Sequence, residues 1–334
     1  MNIKLSICIP TYNRANFLGA AIDSVIKQAT EEVEIVISDN ASTDHTEELV
    51  REYQTRFPRI RYHKAKENMG ADRNFLKVAE LATGEYCWLL GSDDALADGA
   101  ISTVLPMLGV ADVYLTDRRN MSFDMKNILQ SHQSMLNTSS GKIYDCKNPD
   151  ELLSYFKDAC HLGSLFGFIS AIIFKRNSWQ AQPVIEELVG SNWIHVAKIF
   201  LMMREGAVIQ YIGLPLVLNR AGNDSFLATV GYTRRRLIDL DYQRVARAVF
   251  PDKPALLTEV TRVVAENYFT LRVILSDKRA SVAADGAIEA RRLTNAYINI
   301  FHDTSNYRLK MLVLKICPLW LLSSLRRVIR KNKR

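Results

Sequence analysis

The amino-terminal part of this chain alternates short apolar runs with segments of helical period, and that alternation restricts it to one kind of architecture. Leu5-Ser6-Ile7-Cys8-Ile9-Pro10 reads as a short buried strand, and Phe17, Leu18, Ala21, Ile22, Val25 and Ile26 then recur at helical spacing. Val33-Glu34-Ile35-Val36-Ile37 is a second strand, followed by Ser38-Asp39-Asn40-Ala41-Ser42-Thr43-Asp44 and a helix carrying Leu49, Val50, Tyr53 and Phe57. Asp44 with Glu47 three residues on resembles a capping pair. A third strand at 59–63 leads to a helix through Phe75, Leu76, Val78, Ala79 and Leu81, and a fourth strand covers 86–90. Strand and helix in regular turn predict an α/β fold, with a mainly parallel sheet flanked by helices on both faces. Ligands of such sheets bind beyond the carboxyl ends of the strands, where the polar residues of this chain collect.

The fourth strand runs straight into two acids, in Cys87-Trp88-Leu89-Leu90-Gly91-Ser92-Asp93-Asp94. Two adjacent Asp at a sheet's carboxyl edge can hold a hard divalent cation, which in turn can neutralise a diphosphate. Transfer of a sugar from a nucleotide is a chemistry that needs this arrangement. The plainer alternative is an Asp pair capping the next helix, since Asp is a preferred N-cap residue.

At 334 residues and 48% apolar, the chain can bury a full core, one large domain plus an appendage. The five cysteines, Cys8, Cys87, Cys146, Cys160 and Cys317, show no short metal-ligand spacing and read as reduced thiols. Met1–Pro10 enters a strand at once, without the charged-then-apolar pattern of a secretory signal, and no apolar run is long enough to span a bilayer. A cytoplasmic protein is expected, soluble or attached at a surface.

The net charge of +7 is unevenly spread. Met311–Leu322 is apolar and contains Trp320, and Arg-Arg-Val-Ile-Arg-Lys-Asn-Lys-Arg follows from Arg326 to Arg334. An apolar stretch ending in cations suits a peripheral membrane surface, where each cation near anionic lipid contributes about 1 kcal/mol. The alternative is a helix packed on the core with a solvated tail. Nucleic acid is a poorer partner, because no stacking aromatics interleave the basic residues.

Pro10-Thr11-Tyr12-Asn13-Arg14, Ser38–Asp44, Asn68-Met69-Gly70 with Arg73-Asn74, and Gly91–Asp94 together resemble the ordered signatures of family 2 glycosyltransferases with the GT-A fold. The likeness covers about the first 120 residues and continues more weakly to about Arg220. The spelling around Asn40 and Asp94 is most similar to bacterial abequosyltransferases and related O-antigen sugar transferases. The resemblance implies a GT-A type, Rossmann-like sheet and a nucleoside-diphosphate sugar donor, linked to CDP, UDP, dTDP or GDP. It implies a lipid-linked glycan acceptor at the inner face of the bacterial inner membrane, with inversion at the transferred carbon. Pro10, Thr11, Tyr12 and Arg14 become donor-site residues on this likeness. So do Asp39, whose carboxylate would accept from a base N–H, Asn40 beside it, and Arg73, whose forked donors suit base or phosphate. Asp94 corresponds to the direct metal ligand, for Mg2+ or Mn2+, and Asp93 to a ribose or metal-water contact. Read without the likeness, Pro10 and Asn13 are turn residues, Asp39 caps a turn, and Arg73 is a solvent-facing helix arginine.

Family members usually supply the base for the acceptor hydroxyl from a Glu-Asp pair opening a helix. Laid on 193–206 of this chain, that pair falls on Ile194-His195, so His195 is the candidate base, with Glu186 or Glu187 as substitutes. His161, before an expected strand at 168–174, reads as structural. Arg220, in Leu218-Asn219-Arg220-Ala221-Gly222-Asn223-Asp224-Ser225, is a candidate phosphate contact or a surface loop residue. These placements predict a donor half over 1–117 and, over 118–225, an acceptor half opening with a mobile polar insertion at 118–148. A helical region follows over 226–334. The Gln-any-any-Arg-Trp motif of processive synthases is absent, so one sugar per encounter is expected. Two other classes fit less well: a nucleotidyltransferase would show a Gly-rich phosphate loop near the amino terminus, and a non-catalytic nucleotide-binding protein would not need Asp94.

Overall fold

In this computed structural model β1 (Leu5–Thr11), β2 (Val33–Asp39), β3 (Ile60–Lys64) and β4 (Tyr86–Leu89) lie parallel, in the order β3-β2-β1-β4. Residues 3–223 and 231–302 are described, together with Tyr307, Arg308, Lys310 and Leu312. Every residue of β1 and β2 is buried, as strands covered on both faces require. The crossovers are α1 (Ala15–Ile26), α2 (Thr46–Arg56) and α3 (Ala71–Leu81). Helix α1 lays Leu18, Ala21, Ile22 and Val25 on the sheet, against Leu5, Ile7, Ile9 and Ile35. Pro10 is tolerated inside β1 because pairing with β4 stops at Cys8 and Leu89, so its missing N–H has no ladder partner to disappoint.

Beyond β4 the sheet turns mixed, through β5 (Ala95–Leu96), α4 (Ala100–Val104), β6 (Val113–Met121), β7 (Ile128–Gln133), β8 (Ile143–Asp145), α5 (Pro149–Asp158), β9 (Ile172–Lys175), α6 (Arg176–Gln180), α7 (Ile194–Arg204) and β10 (Val208–Arg220). The order continues β4-β9-β6-β10-β5, with β9 antiparallel to both β4 and β6, and β10 parallel to β6. The expected flap is corrected here. Rather than leaving the sheet at residue 117, β6 runs on to Met121 and pairs antiparallel with β7, while β8 pairs with β10. A boundary at 117 would cut a strand. The expected strand at 168–174 is likewise a single 3-10 turn, Ile169–Ala171, followed by β9.

The chain forms two compact units, one of residues 1–223 with 245–256, the other of 224–244 with 257–334. In the first, a second apolar cluster stacks Tyr144, Tyr155, Phe156, Phe166, Phe200 and Phe250, with Tyr155 and Phe166 parallel at 5.5 Å. Past Gly231 the elements are helical, as expected: α8 (Tyr232–Leu240), α9 (Tyr242–Val249), α10 (Pro254–Tyr268), α11 (Leu271–Asp285) and α12 (Ala287–Phe301). The second unit buries Asp277, whose charge is met by the Tyr232 hydroxyl at 2.5 Å, by Arg236 at 3.2 Å and by the Tyr297 hydroxyl. Among the described residues no helix is long and apolar enough to cross a membrane. Of the apolar stretch and basic tail expected to meet a membrane, 311–334, only Leu312 is among them.

Candidate active site

The parallel register sets Thr11 beside Asp39 at the carboxyl edge of the sheet, and the loops that follow are locked to each other. Asn13 adopts a left-handed backbone (φ 52), accepts from Thr43 N–H at 2.8 Å and donates its own N–H to Ser42 Oγ at 2.8 Å. Asp44 accepts at the start of α2, but Glu47 does not complete the expected capping pair. The Asp44 oxygens accept from Ala15 N–H, in the first turn of α1, and from Thr46 N–H and Oγ1, while Glu47 pairs with Arg51 and Lys64. Joining two helix starts is geometrically possible for Asp44 only because the loops after β1 and β2 lie side by side.

Asp39 is fully buried, and it accepts from Ser42 N–H at 2.8 Å and from the Tyr62 hydroxyl at 2.7 Å. Burial, and then Asp39 itself, pushes the Tyr62 pKa up, so Tyr62 stays a donor. Each Asp39 oxygen keeps a second lone pair for an incoming N–H. Asn40 is used differently: its amide donates to Asn68 Oδ1 at 2.7 Å and to the Gly70 carbonyl at 3.2 Å, and its oxygen accepts from Met69 N–H at 2.9 Å. It therefore anchors the 68–70 loop, with both amide hydrogens committed to protein. Pro10 and Thr11 are buried, Tyr12 is exposed, and Arg14 reaches Asn223 Oδ1 at 3.3 Å. Arg73 forks onto the Glu186 carboxylate, an exposed ion pair.

The acidic loop is built with little slack. A side chain on Gly91 would meet Asp94 Oδ2 at 3.1 Å, Ser170 Oγ at 3.2 Å and Asp93 Oδ1 at 3.3 Å, so oxygens of both acids converge beside its Cα. Ser170 Oγ donates to Asp94 Oδ2 at 2.6 Å and accepts from Gly91 N–H at 2.9 Å. Arg220 N–H donates to Asp94 Oδ1 at 3.2 Å, Arg220 Nε to the Asp93 carbonyl at 2.9 Å, and Asn223 Nδ2 to Asp93 Oδ2 at 2.7 Å. Asp94 is 5% exposed, and burial first, Asp93 second, pushes its pKa up to about 7. Arg118 draws it back down, as do the Ser170 and Arg220 bonds. Among the described residues no third His, Cys, Asp or Glu completes a metal cluster. Two convergent carboxylates, one short of positive charge, fit a hard cation whose other ligands are phosphate oxygens and water.

The sequence model described as "Glycosyl transferase family 2" matches residues 6–166. Over 244 residues the chain is 38% identical to "Abequosyltransferase RfbV" of Salmonella typhimurium, a match covering 70% of this chain and 72% of that protein. The chain is a family 2 glycosyltransferase. A shorter match of 36% identity, over 30% of this chain and 33% of the relative, is to the "GalNAc(5)-diNAcBac-PP-undecaprenol beta-1,3-glucosyltransferase" of Campylobacter jejuni. Residues 1–349 of S. aureus TarS share the fold at a TM-score of 0.61 and 14% identity, covering 94% of this chain and 91% of that one. A Pyrobaculum calidifontis mannosyltransferase, solved with GDP-Man and Mn2+, does so at 0.51 and 16%, covering 94% and 85%. The fold of this glycosyltransferase is of the GT-A type.

Two expected site residues sit differently from their expected roles. His195 is 1% exposed, its Nε2 meets the Phe166 carbonyl at 3.1 Å, its Nδ1 has no partner, and Phe75 and Trp193 pack on its ring. Burial drives its pKa down to about 4. A base must touch the hydroxyl it deprotonates, and this ring is sealed in the interior. Arg220 is not in a loop: it ends β10, which carries it onto the acidic loop. Four contributors to the site of the glycosyltransferase, Ser170, Arg118, Asn223 and Asp72, are not marked as such by the sequence. Ser170, in the 3-10 turn before β9, Arg118, on β6, and Asn223, just past β10, carry no motif. Asp72 was hidden beside Arg73: buried, it accepts from the N–H groups of Gly190, Asn192 and Ile194, which fixes the entry of α7 to α3.

Proposed function

We propose that this glycosyltransferase moves one sugar, a dideoxyhexose such as abequose, from a nucleoside diphosphate to a hydroxyl of a lipid-linked oligosaccharide in O-antigen synthesis. The likeness to the Salmonella abequosyltransferase, which extends over 244 residues, supports the sugar and the acceptor class. The observation that carries the chemistry is the Asp93–Asp94 pair, convergent beside Gly91 at the sheet edge that also presents Asp39.

Asp39 would accept from the base, with Thr11, Tyr12 and Arg14 lining the nucleoside, and with Pro10 shaping the turn. Release of Arg73 from Glu186 would free its fork for the nucleotide. Asp94, with Asp93, would hold Mg2+ or Mn2+, which when bound supplies positive charge to the departing diphosphate. Charge that grows on the leaving oxygen is thereby stabilised more in the transition state than in the ground state. Arg220 and Asn223 keep both carboxylates aimed for this task. Attack from the face opposite the diphosphate would invert the sugar carbon. The acceptor's lipid and the cations of 326–334 favour the inner face of the inner membrane, and a chain lacking 309–334 should then sediment less with anionic vesicles.

The test is an assay of CDP-, UDP-, dTDP- and GDP-linked sugars with lipid-linked glycan from an O-antigen-producing bacterium, with Mn2+ or with EDTA. Nucleoside diphosphate should appear only when acceptor and metal are both present. The absence of turnover with every donor, or turnover indifferent to EDTA and to Asp94→Asn, would overturn the reading.

A further inference from the structure

The base that accepts the acceptor's proton is missing from the motif position, and a built arrangement for it stands elsewhere. Asp117, on β6, is fully buried and accepts from the Tyr211 hydroxyl at 2.8 and 2.9 Å, from Met135 N–H at 2.7 Å, and pairs with His132 Nε2 at 2.5 Å. His132, on β7, keeps 45% of its side chain exposed. A carboxylate held by two protein donors, the Tyr211 hydroxyl and the Met135 N–H, and capped by an exposed imidazole is the orienter–base relation of nucleophile-activating sites, here without an adjacent nucleophile.

The strand geometry serves this pair. The β6–β10 ladder loses register on both sides of the Asp117–Pro215 pairing, and the β6–β7 ladder shifts just past Arg118. Such bulges re-aim side chains and concentrate next to active sites. Arg118, next to Asp117 in the chain, lies close enough to Asp94 to lower its proton affinity, and its Nε donates at 3.0 Å to Gln133, next to His132. His161 offers no competing base, because its Nε2 meets the Ser134 carbonyl at 2.9 Å and its side chain also accepts the Ser164 backbone N–H in a capping box.

We propose that His132 is the catalytic base of the transfer and Asp117 its positioning residue, an assignment that rests on the glycosyltransferase reading above and supplies the group it lacks. With Nε2–H donated to Asp117, the Nδ1 lone pair faces outward; no hydrogen bond joins it to another described residue. As the acceptor oxygen forms its bond to the sugar carbon, its proton passes to Nδ1. The electron pair of the breaking carbon–oxygen bond leaves with the diphosphate. The imidazolium so formed is stabilised by the Asp117 carboxylate until solvent takes the proton.

Three forms of the full chain decide it: wild type, His132→Gln and His132→Ala, assayed on the donor and acceptor that the wild type turns over. Glutamine places an amide N–H near the position of Nε2 and preserves the bond to Asp117, but it cannot take a proton. H132Q should therefore keep the wild-type melting temperature and the wild-type thermal shift with nucleoside diphosphate and Mn2+, while kcat falls about 100-fold or more and the donor KM is little changed. Added imidazole should restore part of the rate to H132A, which a merely structural histidine does not allow. H132Q retaining more than about a third of the wild-type kcat, or H132A failing to respond to imidazole, overturns the proposal while leaving the transferase reading intact. Inactivity of the wild type with every donor overturns both.

Discussion

Ser170 Oγ donates a 2.6 Å hydrogen bond to Asp94 Oδ2, joining the turn before β9 to the loop after β4 across 76 residues of sequence. The same oxygen takes Gly91 N–H. Ser170→Ala would leave that buried N–H unsatisfied and remove a donor from a buried carboxylate, a loss on the order of 1–3 kcal/mol. The expected result is a lower urea midpoint with an unchanged slope, together with weaker Mn2+ dependence of turnover. An S170A protein as stable as wild type would show that the bond is not formed in solution.

Asp39→Asn tests the base contact. The substitution puts an amide donor where the incoming N–H and the Tyr62 hydroxyl both need an acceptor. Hydrogen bonds to a charged group contribute about 1.5–3 kcal/mol, so the affinity for UDP or CDP should drop by about 10- to 100-fold. Isothermal titration reads this directly, and equal affinity would remove Asp39 from the nucleotide.

His195 makes the protein acid-sensitive. Its folded-state pKa of about 4 lies below the ordinary value of 6.5, so the unfolded chain binds the proton first. The stability it contributes is complete above about pH 6.5 and is lost as pH falls through about 4, at about 1.4 kcal/mol per pKa unit of separation. Urea unfolding at pH 7, 6, 5 and 4 should show wild type losing more stability than His195→Gln over that window. Parallel curves would place His195 in contact with solvent.

Glu186→Gln probes the Arg73 fork. Both partners are substantially exposed, 41% and 61%, so the pair adds little to folding and the melting temperature should hold. If Arg73 reaches the nucleotide, its release from Glu186 removes a competing state, and nucleoside diphosphate should bind about 2- to 5-fold more tightly in E186Q. Weaker binding would instead mean that Glu186 itself meets the donor.

The parallel half of the sheet was legible because each of its strands is a compact apolar run closed by polar residues. The expected 5–10, 33–37, 59–63 and 86–90 differ from the observed strands by two residues or fewer at any end. The mixed half was not. Ile128–Gln133 is mostly exposed and carries only two apolar residues, and what holds it is its antiparallel ladder to β6, with side-chain pairs such as Asn120 Nδ2 to Gln130 Oε1 at 2.8 Å. Such partners, ten residues apart, leave no periodicity to read. Asp93, Asp94 and Asp39 were visible as polar residues at strand ends. Ser170, Asn223 and Arg118 reach the same place only through the strand order β4-β9-β6-β10, which local sequence does not encode. His195 failed for a related reason: a motif position specifies where a residue lies along a helix, whereas Phe75 and Trp193 decide what surrounds it.

Asp72, gripping the amides of 190–194 from the start of α3, makes the helix that bears Arg73 and the segment that bears Glu186 parts of one clamp. Chimaeras that exchange the 186–194 segment between related transferases to alter glycan preference will therefore need a matching carboxylate at position 72. Without it, the grafted backbone would lose its anchor and disturb nucleotide capture along with the specificity it was meant to change.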